Sequence, residues 1–265
     1  MLHYFTISAS FVDTADKRVL AAQETITNTI GRDEIKSGWT RERQVIAREA
    51  LGDLRVDHVH GRLRSVKQHV NKKEGQEFRK VRVELDECRL THSVQKDGVW
   101  TPVDSAVNMV GSSIILTLDS KQEVTHRLVA KLAACKAGDV ITIGAFAEKS
   151  KTGFTNHVVT VKNAAGEEIK APEDYFRQVR DKTLAMEPKL RELGITDQRT
   201  INEQVKKIKE DFFFDMAGRI GSGMPEIVPT RSSDAAKAAD STTAAPAPAP
   251  AASAAAPDEA EEALW

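Results

Sequence analysis

Two neighbouring stretches of the sequence decide the fold: 55–70, RVDHVHGRLRSVKQHV, and 78–90, FRKVRVELDECRL. Every second residue over 81–85 of the later stretch is apolar, which is the pattern of a strand with one buried side. The earlier stretch also alternates, but the pattern breaks at 65–66, as it would at a β-bulge. The polar segment NKKEGQE at 71–77 predicts a turn. Together these stretches predict a long, bent strand paired with a straight one.

The segments that follow extend this pair into a longer series of elements. Residues 110–120 predict a third strand, and 121–135 predict a short amphipathic helix, because apolar residues recur there every three or four positions. Two more strands are predicted at 139–149 and 156–163. Three strands, a helix and two strands are the order found in OB folds. The sequence therefore predicts an α+β protein whose core, 56–170, is a five-stranded OB-type β-barrel with flanking helices.

The flanking segments predict further secondary structure. In the N-terminal extension, 1–55, HYFTISASFV predicts a strand that pairs as a hairpin with the segment after DTADK, and TRERQVIAREALGDL predicts a helix. Residues 171–224 predict a helical segment. Its last helix has Asp197 or Thr196 available as N-cap and Gly218 near its end.

The end of the chain differs from the rest in composition and charge. The whole chain of 265 residues has a net charge of −1, but residues 232–265 hold six acids and one base, so 37 bases and 33 acids precede them. Residues 225–257 are rich in Ala, Ser, Thr and Pro and predict a disordered linker, because they cannot bury enough apolar surface to fold. An acidic tip, 258–265, follows. Its candidate partner-binding residues are Asp258, Glu259, Glu261, Glu262, Leu264 and Trp265.

Basic and aromatic residues alternate with the apolar ones on the first two strands. Between 61 and 96 there are ten Lys or Arg and five Asp or Glu. If the two strands are neighbours, four of these cations share one solvent-facing side, and the connecting loops add more. Cations follow phosphates and exposed aromatic rings stack unpaired bases, as single-stranded nucleic acid requires. The candidate nucleic-acid-binding residues are Arg62, Arg64, Lys67, Lys72, Lys73, Phe78, Lys80, Arg82, Trp100, Lys149, Lys151 and Phe154.

Other functional classes find little support in the sequence. No phosphate-binding glycine motif, metal-ligand spacing or Ser/His/Asp arrangement stands out, so we expect no catalytic residue, metal or cofactor. His58 and His60 alternate on a strand without a third ligand at a recognised spacing. Cys88 and Cys135 are interpreted as buried thiols of a cytoplasmic protein. Without an apolar run of eighteen residues or a secretory signal pattern, we expect no membrane contact.

The basic strand pair, the element order, the linker and the acidic, aromatic-ended tip together resemble the single-stranded DNA-binding proteins of replication, and bacteriophage members in particular. The resemblance implies a barrel that coats single-stranded DNA, in the host cytoplasm if phage-encoded. It also implies a tip that recruits replication, recombination or RNA polymerase proteins. In the tip, Trp265 stands where Phe is usual in that family. Homo-oligomers are possible.

Two alternative functions fit the same residues. One is a transcription or recombination adaptor that acts mainly by protein contact, with the tip and KKIKEDFFFDM (206–216) as docking elements. The other is an RNA-binding regulator, which would prefer RNA through its 2′-hydroxyl groups.

Overall fold

The computed structural model describes residues 1–37, 40–107, 113–149 and 155–224. These residues form six α-helices and eight strands. In chain order the elements are β1 (Leu2–Phe5), β2 (Ser10–Val12), α1 (Lys17–Ile30), α2 (Arg32–Ser37), α3 (Arg41–Leu51), β3 (His58–Lys73), β4 (Gln76–Lys96), β5 (Val99–Asp104), β6 (Ile114–Asp119), α4 (Glu123–Leu132), β7 (Val140–Lys149), β8 (Thr155–Lys162), α5 (Glu173–Glu192) and α6 (Gln198–Gly223).

All eight strands belong to one mixed sheet, and the predicted α+β class is confirmed. The strand order is β2-β1-β6-β4-β3-β7-β8, and β5 pairs with β4 beside this path. The pairing of β1 with β6 is parallel, whereas the other pairings are antiparallel. Among the described strands, the hydrogen-bonded path does not close on itself. The five-stranded barrel therefore stays a prediction.

The long strand pair forms as predicted, with a tighter turn than predicted. The register of β3 against β4 shifts between Leu63 and Ser65, which confirms the bulge, and it shifts again between His60 and Arg62. The predicted seven-residue turn at 71–77 is wrong. Glu74 and Gly75 both have positive φ, so two residues reverse the chain and both strands continue to the turn.

The N-terminal segment corrects a second prediction. The hairpin lies within the first twelve residues, between β1 and β2, and the segment after Asp16 is the helix α1 rather than a strand. The side chain of Asp16 accepts a hydrogen bond from the backbone N–H of Arg18 and caps α1, whose buried residues recur every three or four positions. Helix α3 confirms the predicted helix. With Phe5, Ile7 and Val12, helices α1–α3 enclose a small apolar core.

The main core lies on one side of the sheet, under α4 and α6. Val81, Val83 and Leu85 are buried there, as their alternation predicts. Phe212, Phe213 and Phe214 of α6 are also buried in this core. The interpretation of these three rings as core residues is confirmed, so they are not exposed for docking. Cys88 and Cys135 are buried thiols, as predicted.

Helix α6 begins at the predicted N-cap Asp197 but runs past its predicted end at Gly218. Two of its glycines have another role, because they face β3 at short distance. A Cβ atom on Gly218 would lie 2.8 Å from Cδ of Gln68, and one on Gly221 would lie 2.1 Å from the carbonyl oxygen of Val66. These glycines let the helix backbone approach the strand instead of ending the helix.

We expect Gly221→Ala to destabilise the protein by about 1–3 kcal/mol, because the added methyl group overlaps a backbone atom that cannot move aside cheaply. Gly223→Ala is the matched control. No atom lies within 4 Å of a Cβ at that position, so alanine there should be neutral or stabilising by up to about 1 kcal/mol. Urea unfolding of both variants measures the difference. Equal stabilities would contradict the close seating of α6 on β3.

Candidate nucleic-acid interface

The candidate interface lies on the outer face, by which we mean the side of the β3–β4 pair that points away from the main core. Residues directly opposite each other in an antiparallel pair project to the same side. Lys67 is opposite Arg82, His69 is opposite Lys80, and Asn71 is opposite Phe78. Because Val81 and Val83 point into the core, these neighbours point outward. The register thus brings cations of two strands into adjacent rows.

Most of the predicted strand residues share this outer face. Strand parity assigns the majority, and Arg64, which lies in the bulge, is placed by its approach to Asp86 on the same side. The predicted residues on the outer face are Arg62, Arg64, Lys67, Lys73, Phe78, Lys80 and Arg82. The sequence pattern grouped Arg62, Arg64, Lys80 and Arg82 on this side with Phe78 at its edge, and the register adds Lys67 and Lys73.

Lys72 corrects the predicted grouping. It was expected beside Lys73 in a loop, but the strand continues through both residues and they project to opposite sides. Lys72 is opposite Glu77, on the side that carries Gln68 and Val81. The tight turn is the physical reason, because it extends the two-residue period of the strands to position 73.

Carboxylates on the same face neutralise part of its positive charge. Arg62 Nη2 lies 3.3 Å from Glu87 Oε2, Arg64 Nη1 lies 4.0 Å from Asp86 Oδ1, and Lys67 Nζ lies 3.0 Å from Glu84 Oε1. Partial burial alone would raise the pKa of Glu84, but hydrogen bonds from Ser65 and Lys67 lower it below its ordinary value. The outer face therefore carries mixed charge around its cations.

Two of the three predicted aromatic residues, Phe78 and Trp100, lie near opposite ends of β4. Phe78 is half-buried near the β3–β4 turn. Trp100, on β5, is opposite Gln95 and 58% exposed. Gln95 alternates with the buried His92, so Trp100 also points to the outer side. A single outer side thus carries cations flanked by two aromatic rings.

Several predicted residues cannot be placed. Lys149 ends β7, but its side chain is outside the described residues, as are Lys151 and Phe154. The linker 225–257 and the tip 258–265 also lie outside them. Their assignments stay predictions.

Sequence reasoning missed two residues that extend the outer face, His3 and Thr117. His3 of β1 is opposite Thr117 of β6, which is in turn opposite Arg82 of β4. Burial and then the positive charge of Lys80 lower the pKa of His3 to about 4, so its imidazole is neutral at pH 7. The signal was hidden because a parallel pairing between residues more than a hundred positions apart leaves no local pattern.

Metal-binding geometry is not seen in the described residues, where no group of three or more His, Cys, Asp or Glu side chains could hold an ion. The ring of His60 instead shares a hydrogen bond of 3.0 Å with Thr142 Oγ1. Burial lowers the pKa of His58. The ring of His60 is thus hydrogen-bonded to a neighbouring strand, and that of His58 is partly buried.

Comparisons with known proteins return no relative. No protein-family model, curated protein or solved structure matches the chain. In the described residues, no helix combines the length and apolar character needed to cross a membrane.

Proposed function

We propose that the chain is a single-stranded DNA-binding protein that binds largely without regard to sequence and has no catalytic activity. The observation that carries this proposal is the grouping of Lys67, Lys73, Lys80 and Arg82 on the outer face, with Phe78 beside them. Such cations hold the phosphate backbone, whereas each base stacked on an aromatic ring contributes about 1–3 kcal/mol whatever its identity. Trp100 supplies a second exposed ring.

We also infer an OB-type arrangement in which strand β1 is added to the five strands of the barrel. The pairings β3–β4, β4–β6, β3–β7 and β7–β8, with α4 between β6 and β7, support this interpretation. In such a barrel the third and fifth strands, here β6 and β8, would close the ring. Strand β1 pairs with β6, and Tyr4 Oη shares a hydrogen bond of 2.6 Å with His157 Nδ1 of β8. Strand β1 therefore occupies the closing position.

The acidic tip has a separate role in the proposal. Its carboxylates, Leu264 and Trp265 recruit replication, recombination or RNA polymerase proteins, while the linker gives the tip its reach. A phage origin and a cytoplasmic site of action belong to the same proposal. Protein adaptor and RNA-binding regulator are the competing functions, and the experiment below separates them.

The test is fluorescence anisotropy of labelled oligo-dT about 16 nucleotides long, beside a duplex and an oligo-U of equal length, across a salt series. We expect preferential binding of oligo-dT that weakens steeply with salt, because phosphate contacts release counterions. A variant with Lys67, Lys73 and Lys80 changed to Ala should lose about 2 in the slope of log affinity against log salt. At 0.1 M salt this corresponds to binding weaker by on the order of 100-fold.

The matched control replaces Arg177, Arg180 and Arg199 of α5 and α6 with Ala. It changes the net charge by the same amount at exposed positions away from the outer face, so it should retain most of the affinity. Equal losses in both triple variants would show a general charge effect and contradict the proposed face. Tighter binding of oligo-U would favour the RNA-binding regulator. No binding to any strand would favour the protein adaptor.

A further inference from the structure

One row of side chains crosses five strands and passes from solvent into the protein. In order, the row contains Lys67 of β3, Arg82 of β4, Thr117 of β6, His3 of β1 and Val12 of β2. The side chain of Lys67 is 58% exposed, Thr117 is 2% exposed and Val12 is fully buried in the small core under α1–α3. The middle of the row therefore lies where the outer face meets the N-terminal helices.

Two buried polar atoms in the middle of this row lack a partner in the described part of the chain. They are Nε of Arg82 and Oγ1 of Thr117. The guanidinium group of Arg82 also makes no ion pair with any described residue. Buried donors that stay unsatisfied destabilise a fold, so a bound ion or water is the usual explanation for such a pair.

The electrostatics around these atoms favour an anion over a cation or a neutral molecule. Burial lowers the pKa of His3 most, and Lys80, the N-terminal ammonium group and Arg82 lower it further, whereas the carboxylate of Asp13 opposes them. Two other carboxylates lie at the rim: Asp119, opposite Lys80, and Glu84, which Ser65 and Lys67 already engage. The centre of the row thus holds positive charge and hydrogen-bond donors in a partly water-excluded position.

We propose that this row is a built site for one phosphate group, and that Arg82 and Thr117 donate hydrogen bonds to its oxygens. Arginine and a hydroxyl group are suited to phosphate, whose several oxygens accept from more than one direction. The site rests on the proposed function, in which the phosphate belongs to the backbone of single-stranded DNA. It adds to that function a half-buried anchor beside the exposed Lys67 of the outer face.

The first experiment uses two variants of the full chain and the oligo-dT anisotropy assay. Thr117→Val keeps the shape and removes the hydroxyl group, so we expect unchanged or higher stability with about ten-fold weaker binding. Arg82→Gln should weaken binding at least as much and lower the salt slope by about 0.7. Arg177→Gln on α5 is the charge-matched control and should bind like the unchanged protein.

The second experiment follows the imidazole resonances of His3 by NMR in protein with ¹³C-labelled histidine. On adding oligo-dT, or separately inorganic phosphate, a neighbouring anion should raise the pKa of His3 from about 4 by roughly 1–3 units, because it favours the charged imidazolium. The effect should be lost in Arg82→Gln. Inorganic phosphate tests the anion site without assuming that the protein binds DNA.

The outcomes separate the site from the function. If oligo-dT binds and both substitutions and His3 respond as expected, the site is supported. If oligo-dT binds but Thr117→Val only raises stability and the pKa of His3 does not move, the row holds water and the site is overturned. If oligo-dT does not bind but phosphate raises the pKa of His3, the anion site is supported and the proposed function fails. If oligo-dT does not bind and phosphate does not change the pKa of His3, the anion site and the proposed function are both contradicted.

Discussion

Replacing Asp57 with alanine should lower the free energy of unfolding by about 3–5 kcal/mol, because the change leaves buried positive charge without its partner. Asp57 is 2% exposed. Its Oδ2 atom lies 2.7 Å from Arg48 Nη2 and 2.5 Å from Arg55 Nη1, and it accepts a hydrogen bond of 2.7 Å from the backbone N–H of Ser93. Oδ2 of Asp57 thus accepts from three donors.

The size of this effect also reflects the elements that Asp57 joins. Arg48 belongs to α3 and donates a second hydrogen bond to the carbonyl of Ser8, in the turn between β1 and β2. Arg55 donates to the carbonyl of Ser93 on β4. The carboxylate therefore links the N-terminal helices to the start of the long strand pair. Losing it should loosen both connections together.

Urea unfolding followed by tryptophan fluorescence measures the change, with Asp104→Asn as the control. Asp104 pairs with Arg89 at the surface, where the two side chains are 72% and 71% exposed, so its loss should cost no more than about 1 kcal/mol. Asp57→Asn, which keeps an acceptor oxygen, should remain folded if the alanine variant does not. Similar midpoints for Asp57→Asn, Asp104→Asn and the unchanged protein would contradict the structural role of this carboxylate.

Replacing Phe213 with alanine should lower the free energy of unfolding by a comparable amount, about 3–5 kcal/mol, because it opens a cavity in the main core. The ring is 2% exposed and lies almost parallel to the imidazole of His126, with 4.9 Å between their centroids. It also contacts Phe212 at 5.2 Å and Phe176 at 5.5 Å. These contacts bring α4, α5 and α6 together.

Phe176→Ala is the control for this prediction. Its ring is 42% exposed, so removing it should cost less than about 2 kcal/mol. Chemical denaturation gives the stabilities, and amide hydrogen exchange along α6 shows whether the helix loosens from the sheet. A loss in Phe213→Ala no greater than in Phe176→Ala would contradict the central place of Phe213 in the core.

Much of the candidate interface could be predicted from local pattern alone. Lys80 and Arg82 alternate with Val81 and Val83, and the two-residue period of a strand assigns the pairs to opposite sides wherever one side is buried. The same reasoning explains the error at Lys72. The side of the sheet to which Lys72 projects depends on where the strand ends and the turn begins. Glu74 and Gly75 form a two-residue turn, and the polar composition of 71–77 does not indicate so short a turn.

The ion pairs on the outer face also depend on register. Lys67 and Glu84 are near neighbours because the two-residue turn places Lys67 opposite Arg82 and Ser65 opposite Glu84. The sequence showed carboxylates within the basic region but not which cations they would face.

The sequence by itself determined the α+β class, the order of the central elements apart from the unpredicted strand β5, the bulge and the division of the long strands into core and outer sides. These features follow from the backbone periods of strands and helices, which act over a few residues. Only the tertiary structure decided the parallel pairing of β1 with β6, the seating of α6 on β3 and the row that joins His3 to Arg82. Such contacts join residues as far apart as Gln68 and Phe214, 146 positions along the chain. They depend on complementary surfaces and close backbone approach, for which a linear pattern carries no signal.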